Sequence, residues 1–363
     1  MARAVSLHIG LNRVDASAYN GWDGALAGCI NDARDMEAIA DSLGYASTLL
    51  TDAQATSDGV IEAIGRTARQ LVDGDIFVLT YSGHGGQVPD ANGDEPDGMD
   101  ETWVLYDRML VDDEIYGLLS HFPAGVRIFV LSDSCHSGTV LKVMAYKEYY
   151  GTATKRAANP EPPRFKHIDR QLALALYSRD ERTYRAVQWS QARGNQTEIA
   201  ASAILISGCQ DNQLSADGNG NGLFTGTLKQ VWDQGAFSGT YGQFAREIAS
   251  RMPPDQSPNL YCVGTRNAAF EAQRPFTIGG SEDGSPAVVP DTSVADQPTL
   301  WRGATGPAVR RLQTLLAGLG YGGVAPDGIF GPRTEVAVRE FQAARGLVVD
   351  GVVGRQTWSA LQS

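Results

Sequence analysis

The sequence predicts an α/β protein whose mostly parallel sheet is flanked by helices, followed by a small all-α C-terminal domain. Three observations support this fold class. Segments 75–81 and 126–132 are near-continuous apolar runs, which suit parallel strands that are buried on both faces. Strand-like and helix-like segments alternate from residue 5 to residue 82, as they do in βαβ units. Beyond residue 299, the apolar residues recur at helical spacing.

The first part of the chain reads as β-α-β-α-β. Residues 5–11 and 46–50 form short apolar strands that precede the strand ending near Ser82. The helix predicted at 31–43 ends at Gly44, because glycine commonly terminates helices. The second helix, at 57–72, places its apolar residues on one face: Val60, Ile61, Ile64, Ala68 and Leu71.

The pattern weakens after Gly138. Segment 142–199 is basic at its start, Pro-rich at 160–163 and weakly periodic, so it is interpreted as an insertion or a mobile segment. The alternation then resumes with a strand at 203–207, helices at about 222–234 and 241–252, and a last strand near 260–263.

The composition indicates two globular domains joined by a linker. Residues 277–298 are rich in Gly, Ser, Pro and Asp, as linkers are, and separate a domain at 1–276 from one at 299–363. The net charge of −12 argues against a nucleic-acid or anionic-membrane partner and is compatible with a basic substrate. The four cysteines include no CxxC pair, which argues against a zinc site, and their sparsity argues against a disulfide scaffold.

The N-terminus enters a strand almost at once and has no apolar signal-peptide core, and no run reaches transmembrane length. We therefore expect a cytoplasmic protein. A periplasmic location is the alternative for a chain whose leader has been removed.

Two reactive side chains follow the two apolar strands. His84 lies between glycines after the first strand, and Cys135 follows the second. Parallel strands present their carboxyl ends at one edge of the sheet, and a thiol beside an imidazole is the minimal cysteine-nucleophile pair. His136 would point away from Cys135 on an extended segment, so His84 is the expected base. The Gly85 N–H could stabilise an oxyanion.

Two further polar residues are placed to share this site. Asp133 precedes Cys135 by two positions and Ser82 precedes His84 by two, so each pair shares a side if the backbone is extended. Two interpretations remain open. Asp133 could cap a turn, or it could form part of a recognition pocket for a cationic substrate group.

Four motifs then identify a family resemblance. The motifs are Gly28–Ala33, Tyr81–Gly86, Asp133–Thr139 and Ser207–Gln213. Taken together they resemble the type I metacaspases, the caspase-related cysteine peptidases that are called orthocaspases in bacteria, over residues 5–270. The resemblance implies a caspase-haemoglobinase fold with a large-subunit-like part at 1–141, an insertion at 142–199 and a small-subunit-like part at 200–276.

The resemblance also implies roles for single residues. Cys135 would be the nucleophile, His84 the general base and acid, and the Gly85 and Cys135 amides the oxyanion hole. Asp32 and Asp133, with Cys29 and Ser82, would line an acidic pocket that selects Arg or Lys before the cleaved bond of a protein or peptide substrate. Self-processing within 142–199 is expected, with five candidate sites: Lys147, Lys155, Arg156, Arg164 and Arg193.

The resemblance to metacaspases also implies a calcium site. Its ligands would be Asp97, Asp112, Asp113 and an acidic residue at position 142, where this chain has Lys142. A cation repels Ca²⁺ and supplies no oxygen ligand. We therefore expect no required cofactor, and activity either without calcium or with a weak millimolar dependence.

The segment 299–363 resembles the small helical peptidoglycan-binding domain, on motifs that include Asp327–Gly331 and Asp350–Gly354. Its ligand is left open between peptidoglycan, a partner protein and a small signal. Two rival functions are a clostripain- or gingipain-like Arg-specific peptidase and a non-catalytic pseudopeptidase that acts through its C-terminal domain. The Gly28-Cys29…Asp32 spacing favours the metacaspase over the first, and the intact His84 and Cys135 argue against the second.

Overall fold

The structure is a computed structural model of the chain, and it divides into two compact units, Met1–Glu282 and Asp283–Ser363. It describes residues 2–92, 98–134, 164–192, 199–209, 215–218, 220–253, 256, 258–279, 300, 307–321, 326, 328, 330–345, 347, 351, 353 and 355–361.

The described strands and helices of the first unit follow the predicted α/β order. The strands are β1 (Ala4–Gly10), β2 (Ala46–Thr51), β3 (Ile76–Ser82), β4 (Gly85–Pro89), β5 (Met99–Val104), β6 (Met109–Val111), β7 (Arg127–Asp133), β8 (Ser202–Ser207) and β9 (Asn259–Gly264). The helices are α1 (Cys29–Ser42), α2 (Ser57–Gln70), α3 (Asp112–Ser120), α4 (Arg170–Arg179), α5 (Glu181–Ala192), α6 (Leu223–Trp232), α7 (Tyr241–Arg251) and α8 (Ala268–Glu271).

A six-stranded sheet forms the centre of this unit, in the order β2-β1-β3-β7-β8-β9. Every neighbouring pair is parallel except β8 and β9, which are antiparallel. The predicted mostly parallel sheet flanked by helices is therefore confirmed. The register aligns Ser82 of β3 with Asp133 of β7 and with Gly10 of β1, so the carboxyl ends of these strands lie side by side.

The apolar runs of β3 and β7 are continuous because both faces of the sheet are covered. Phe77 and Leu79 pack into one core with α2 and α3, whereas Ile76 and Val78 pack into the other with α1, α6 and α7. All seven residues of each strand are buried. The two central strands are therefore anchored on both sides, and the residues at their ends have little freedom to move.

A second, three-stranded antiparallel sheet, β4-β5-β6, follows His84. In this region the sequence pattern favours only a short strand near Trp103 to Leu105, because Gly85–Pro89 begins with two glycines and lacks β-branched alternation. Segment Gly85–Pro89 forms a strand because it pairs with β5, in which Trp103 lies opposite Gly85 and Asp100 opposite Val88.

Two helices, α4 and α5, lie within the segment that the sequence assigned to an insertion. Of the two alternatives, a mobile segment is wrong for 164–192, and an insertion stays a prediction. Ala173 and Leu176 of α4 are buried in the core beside β4, and Gln188 of α5 donates to the Asp100 carboxylate over 2.6 Å. The apolar residues of α4 form one short continuous run, 172–177, so helical periodicity alone does not reveal it.

The second unit contains three described helices, α9 (Pro307–Gly318), α10 (Pro332–Ala344) and α11 (Arg355–Leu361), around an apolar core of its own. The two related motifs of this unit, each a glycine turn before a helix, make equivalent hydrogen bonds. The Gln313 side chain accepts from Gly328 N–H and donates to Thr334. Gln342 does the same with Gly351 and Thr357, so each buried glutamine ties a glycine turn to the helix that follows it.

The close approach of β1 and α1 gives a stability prediction. A Cβ at Gly10 would lie 2.5 Å from the Cys29 carbonyl oxygen and 2.8 Å from Ala33 Cβ. We expect Gly10→Ala to lower the free energy of unfolding by about 1–3 kcal/mol, because the overlap forces α1 away from the sheet. Urea unfolding measures this.

Gly65→Ala is the matched control, since Gly65 lies inside α2 and its Cβ would meet only Arg69 Nη1, at 3.5 Å. There we expect stabilisation of about 0.5–1 kcal/mol from helix propensity. Equal effects of the two substitutions would contradict the packing argument.

Candidate active site

His84 follows β3 and is almost completely buried. Its Nε2 lies 3.0 Å from the Gly24 carbonyl oxygen, and a carbonyl can only accept, so Nε2 carries the proton. Nδ1 is then the basic atom, and it is buried without a hydrogen-bond partner among the described residues. The Trp22 ring lies against the imidazole at a centroid distance of 4.8 Å and holds it in this orientation.

The environment of His84 keeps the imidazole neutral. Burial lowers the pKa of His84 to about 4, against the opposing influence of the Gly24 carbonyl and of the His167 backbone. A neutral imidazole with an unprotonated nitrogen can accept a proton, which is the requirement for a general base.

Asp32, Ser82 and Asp133 form the acidic pocket. Asp32 lies in the first turn of α1, Ser82 ends β3 and Asp133 ends β7, so three elements contribute one side chain each. Ser82 Oγ donates to Asp32 Oδ2 over 2.7 Å. All three residues are buried. The structure thus brings together residues that lie far apart in the sequence.

The acidic pocket holds the side chain of Lys166. Its Nζ lies 2.9 Å from Asp32 Oδ2, 2.9 Å from Asp133 Oδ2 and 2.9 Å from Ser82 Oγ. The side chain is 0% exposed. Burial alone would lower the pKa of Lys166, but the two carboxylates raise it well above its ordinary value, so the ammonium remains charged. Its three N–H donors match the three acceptors.

Further donors complete the hydrogen bonding of the carboxylates. Asp133 accepts from Ser215 Oγ over 2.5 Å and from Thr225 Oγ1 over 2.7 Å. Asp32 accepts from Asn221 Nδ2 over 3.0 Å and from Gly222 N–H over 2.9 Å. None of these four donors was identified from the sequence, because short polar residues in a glycine-rich turn resemble ordinary loop residues.

The backbone of segment 164–168 is paired on two sides. Lys166 N–H donates to the Ser215 carbonyl over 3.0 Å, and Asp217 N–H donates to the Arg164 carbonyl over 2.8 Å. On the other side, Gly85 N–H donates to the Lys166 carbonyl over 3.0 Å, and Ile168 N–H donates to the Gly85 carbonyl over 2.9 Å. Gly85, the predicted oxyanion donor, therefore already binds a carbonyl oxygen.

The predicted site residues thus divide into three groups, of which Asp112 and Asp113 are the third. Six converge beside Lys166 at the ends of β3 and β7 or at the start of α1: Cys29, Asp32, Ser82, His84, Gly85 and Asp133. Cys135, Asp97 and Lys142 lie outside the described residues. The catalytic and binding roles assigned to all of these residues remain predictions. Lys166 was missed, since a single lysine between Phe165 and His167 carries no sequence signal of a buried ion pair.

Asp112 and Asp113 lie elsewhere, at the start of α3. Asp113 accepts from Asn92 Nδ2 over 2.9 Å, and Asp113 N–H donates to the Asp112 carboxylate. Within the described ranges no group of three His, Cys, Asp or Glu side chains could hold a metal ion. Two aspartates are too few for Ca²⁺, which takes six to eight oxygens. The described residues therefore do not make a calcium site by themselves, and the calcium expectation stays a prediction.

Models of two known families match the chain. The model of the caspase domain family matches residues 14–270, and that of the putative peptidoglycan binding domain matches residues 305–361. In the described part of the chain, the helices are too short or too polar to cross a membrane.

Two curated relatives and one solved structure are similar to this chain. Metacaspase-1 of Coccidioides immitis is 31% identical over 295 residues, 71% of this chain and 61% of the relative. Metacaspase-1 of Saccharomyces cerevisiae is 32% identical over 263 residues, 63% of this chain and 58% of the relative. The crystal structure of a Geobacter sulfurreducens protein is 48% identical, covers 76% of this chain and 99% of that one, and has a TM-score of 0.65. The chain thus spans about three fifths of the curated relatives' length.

The buried histidines predict a pH-dependent stability. Burial lowers the pKa of both His8 and His84 to about 4. In the unfolded chain a histidine binds a proton with a pKa of about 6.5, so unfolding at lower pH is accompanied by proton uptake. The two histidines therefore do not lower the free energy of unfolding above pH 6.5. Between pH 6.5 and about 4 this free energy falls, by at most about 1.4 kcal/mol per pH unit for each histidine.

Urea unfolding at pH 7 and pH 5 measures this loss. His8→Gln removes one titrating group on β1, outside the acidic pocket, and should reduce the difference in unfolding free energy between the two pH values. An unchanged difference in this variant would mean that His8 is not kept neutral by the fold.

Proposed function

Because this chain belongs to the caspase-domain family, we propose that it is a cysteine endopeptidase that cleaves peptide bonds after Arg and Lys. The family membership supports the cysteine peptidase. The observation that carries the specificity is the acidic pocket, in which Asp32 and Asp133 both bind one ammonium group beside His84 and Gly85. A side chain with a terminal cation is the complement of two converging carboxylates.

In the proposed reaction, Cys135 is the nucleophile and His84 is its base. His84 Nδ1 takes the thiol proton, and the thiolate attacks the carbonyl carbon of the bond to be cleaved. The carbonyl oxygen becomes an oxyanion, which Gly85 N–H stabilises by the same kind of hydrogen bond that it now donates to the Lys166 carbonyl. The histidine returns the proton to the departing amine, and water then hydrolyses the thioester.

The other three cysteines are poor candidates for the nucleophile. Burial raises the pKa of Cys262 to about 12, and that of Cys29 further still. The Cys209 thiol donates to the Ser134 carbonyl over 3.2 Å. A nucleophilic cysteine needs an accessible thiolate. Cys29 and Cys262 are held in the protonated form and the Cys209 thiol is occupied as a donor, which supports the assignment to Cys135.

The C-terminal unit supports a second, separate function. The match at 305–361 to the peptidoglycan-binding family favours binding of peptidoglycan by this unit over the two alternatives of a partner protein and a small signal. Co-sedimentation of the full chain with purified sacculi tests this, with insoluble chitin as a control for unspecific adsorption to a glycan. Equal retention on both materials would contradict it.

The first functional prediction concerns the catalytic pair. Cys135→Ala and His84→Ala should each lower kcat for an Arg peptide by about 10⁴-fold or more, because the two groups act as a unit. Cys262→Ser, on β9, is the matched control and should retain activity. Mass spectrometry after treatment with an arginyl chloromethyl ketone should find the adduct on Cys135. Labelling of another cysteine would contradict the assignment.

The second prediction concerns specificity. On peptides that differ only before the cleaved bond, kcat/KM should be highest for Arg, lower for Lys and very low for Asp, since a planar guanidinium can bind both carboxylates and an acidic side chain is repelled. Asp133→Asn should lower kcat/KM for Arg peptides by about 2–5 kcal/mol in transition-state free energy.

Asp35→Asn is the matched control for that substitution. Asp35 lies one helical turn from Asp32 on α1, but its carboxylate binds Lys229 at 2.6 Å and is half-exposed. Replacing its carboxylate should change kcat/KM for the Arg, Lys and Asp peptides little. Equal cleavage of Asp and Arg peptides, or an equal effect of both substitutions, would contradict an acidic pocket at this position.

A further inference from the structure

We propose that Gly222 is a specificity-determining residue of the acidic pocket, because it leaves free the space in which the terminal cation of a substrate side chain lies. This role rests on the proposed peptidase function and adds a residue to it. The motifs that carry the family resemblance do not include Gly222, and a pair of carboxylates does not by itself imply a glycine beside them. The position of Gly222 next to both carboxylates and the anchoring of its turn support the proposal.

The space for the cation exists because residue 222 has no side chain. Gly222 lies directly before α6, beside the two carboxylates of the acidic pocket. A Cβ at this position would overlap the ammonium nitrogen of Lys166, and it would lie 2.8 Å from Asp133 Oδ2 and 3.0 Å from Asp32 Oδ2. Non-bonded carbon atoms attract one another best at about 3.5–4.0 Å, so contacts this short are repulsive. A methyl group at position 222 and a cation between the carboxylates therefore exclude each other.

The backbone at Gly222 does not itself require glycine. Its φ of −59° and ψ of 155° lie in the extended region that L-residues adopt without strain. The Gly222 N–H, which donates to Asp32 Oδ1 over 2.9 Å, would be kept by an alanine. The missing side chain therefore matters at this position for the pocket and not for the conformation of the turn.

Residues 221 and 222 also decide which oxygen of Asp32 faces the cation. Asn221 Nδ2 and Gly222 N–H both donate to Asp32 Oδ1, over 3.0 and 2.9 Å. The other oxygen, Oδ2, accepts from Ser82 and binds the Lys166 ammonium. The turn thus holds one carboxylate oxygen, and the other remains directed into the space beside Gly222.

The turn at 217–222 is anchored to α1, the helix that carries one of the two aspartates of the pocket. The Asp217 carboxylate accepts from the N–H groups of Ala27 and Gly28, over 2.7 and 2.9 Å, directly before α1. Asn31 of α1 donates to a carbonyl oxygen of the turn over 2.8 Å. Hydrogen bonds to a charged carboxylate are stronger than those between neutral groups. The turn and the helix are therefore joined, and the space between them is fixed by these contacts.

Gly222→Ala tests the proposal because it adds one methyl group and keeps both carboxylates. The methyl group should exclude Arg and Lys from the pocket and leave room for a small side chain. The test measures kcat/KM on peptides that carry Arg, Lys or Ala before the cleaved bond and are otherwise identical. We expect the Arg-to-Ala ratio of kcat/KM to fall by at least about 100-fold relative to wild type. The fall should come from the Arg value, and the Ala value should change little.

Gly226→Ala is the matched control. Gly226 lies four positions further along, inside α6, where a Cβ would meet only Asn221 Cβ among the described residues, at the ordinary contact distance of 3.6 Å. The same methyl group is then added to the same helix without entering the pocket. We expect Gly226→Ala to retain the wild-type Arg-to-Ala ratio. Thermal unfolding of both variants shows whether each is folded.

A second pair of variants keeps the proposal testable if Gly222→Ala does not fold. Asp217→Asn weakens the anchoring of the turn and should lower the Arg-to-Ala ratio by about tenfold, since an amide oxygen accepts more weakly than a carboxylate. Its control is Asp107→Asn, because the Asp107 carboxylate likewise binds the start of a helix, accepting from Ser57 N–H and Oγ of α2 over 2.7 and 2.9 Å. Asp107→Asn should lower Tm to a similar extent and leave the ratio unchanged.

The outcomes separate this role of Gly222 from the proposed function. A folded Gly222→Ala protein that keeps the wild-type Arg-to-Ala ratio would overturn the role and leave the proposed function standing. Equal losses on Arg and Ala peptides would overturn it too, because they would indicate a structural effect. If Gly222→Ala is unfolded, a wild-type ratio in Asp217→Asn has the same consequence. A wild type that cleaves neither Arg nor Lys peptides would refute the proposed function, and this role with it.

Discussion

The ion pairs of Lys166 with Asp32 and Asp133 are the interaction on which the site depends. Three charges are buried there, and each costs several kcal/mol to remove from water. The arrangement is stable only because every charge is compensated. The ammonium has three acceptors, and the carboxylates receive hydroxyl and amide donors such as Ser215 and Thr225. Loss of any one charged partner would leave an unpaired charge in the interior, which is far more costly than loss of a surface pair.

The parallel sheet provides the place for these charges. β3 and β7 are anchored by cores on both faces, and their register sets Ser82 beside Asp133. Gly222 leaves the space that the ammonium occupies, since a Cβ there would overlap Lys166 Nζ and lie 2.8 Å from Asp133 Oδ2. The rigid strands fix the carboxylates, and the glycine keeps room for a cation between them. The same sheet edge positions Gly85 and His84, so the residues proposed for binding and those proposed for chemistry lie on one rigid sheet.

The sequence predicts those parts of the site that depend on local pattern. The apolar runs identify β3 and β7, and the strand ends place His84, Ser82 and Asp133 at one edge, as the structure does. Lys166 could not be predicted in this way. Its partner Asp32 lies 134 positions away in the sequence. No local pattern distinguishes a buried lysine from a solvent-exposed one. β4 and α4 were missed for a related reason, because tertiary pairing and burial outweigh their weak local propensities.

The charge balance of the acidic pocket connects the resting chain with the proposed specificity. Two carboxylates and one ammonium leave a net negative charge in a buried space, and without the ammonium the like charges of Asp32 and Asp133 would face each other there. The pocket is therefore unfavourable when empty, and it binds a cation whichever chain supplies it. In the described structure that cation is Lys166. In the proposed function, a substrate Arg or Lys that takes the place of Lys166 relieves the same repulsion, so the attraction that holds Lys166 is also the one proposed to select the substrate.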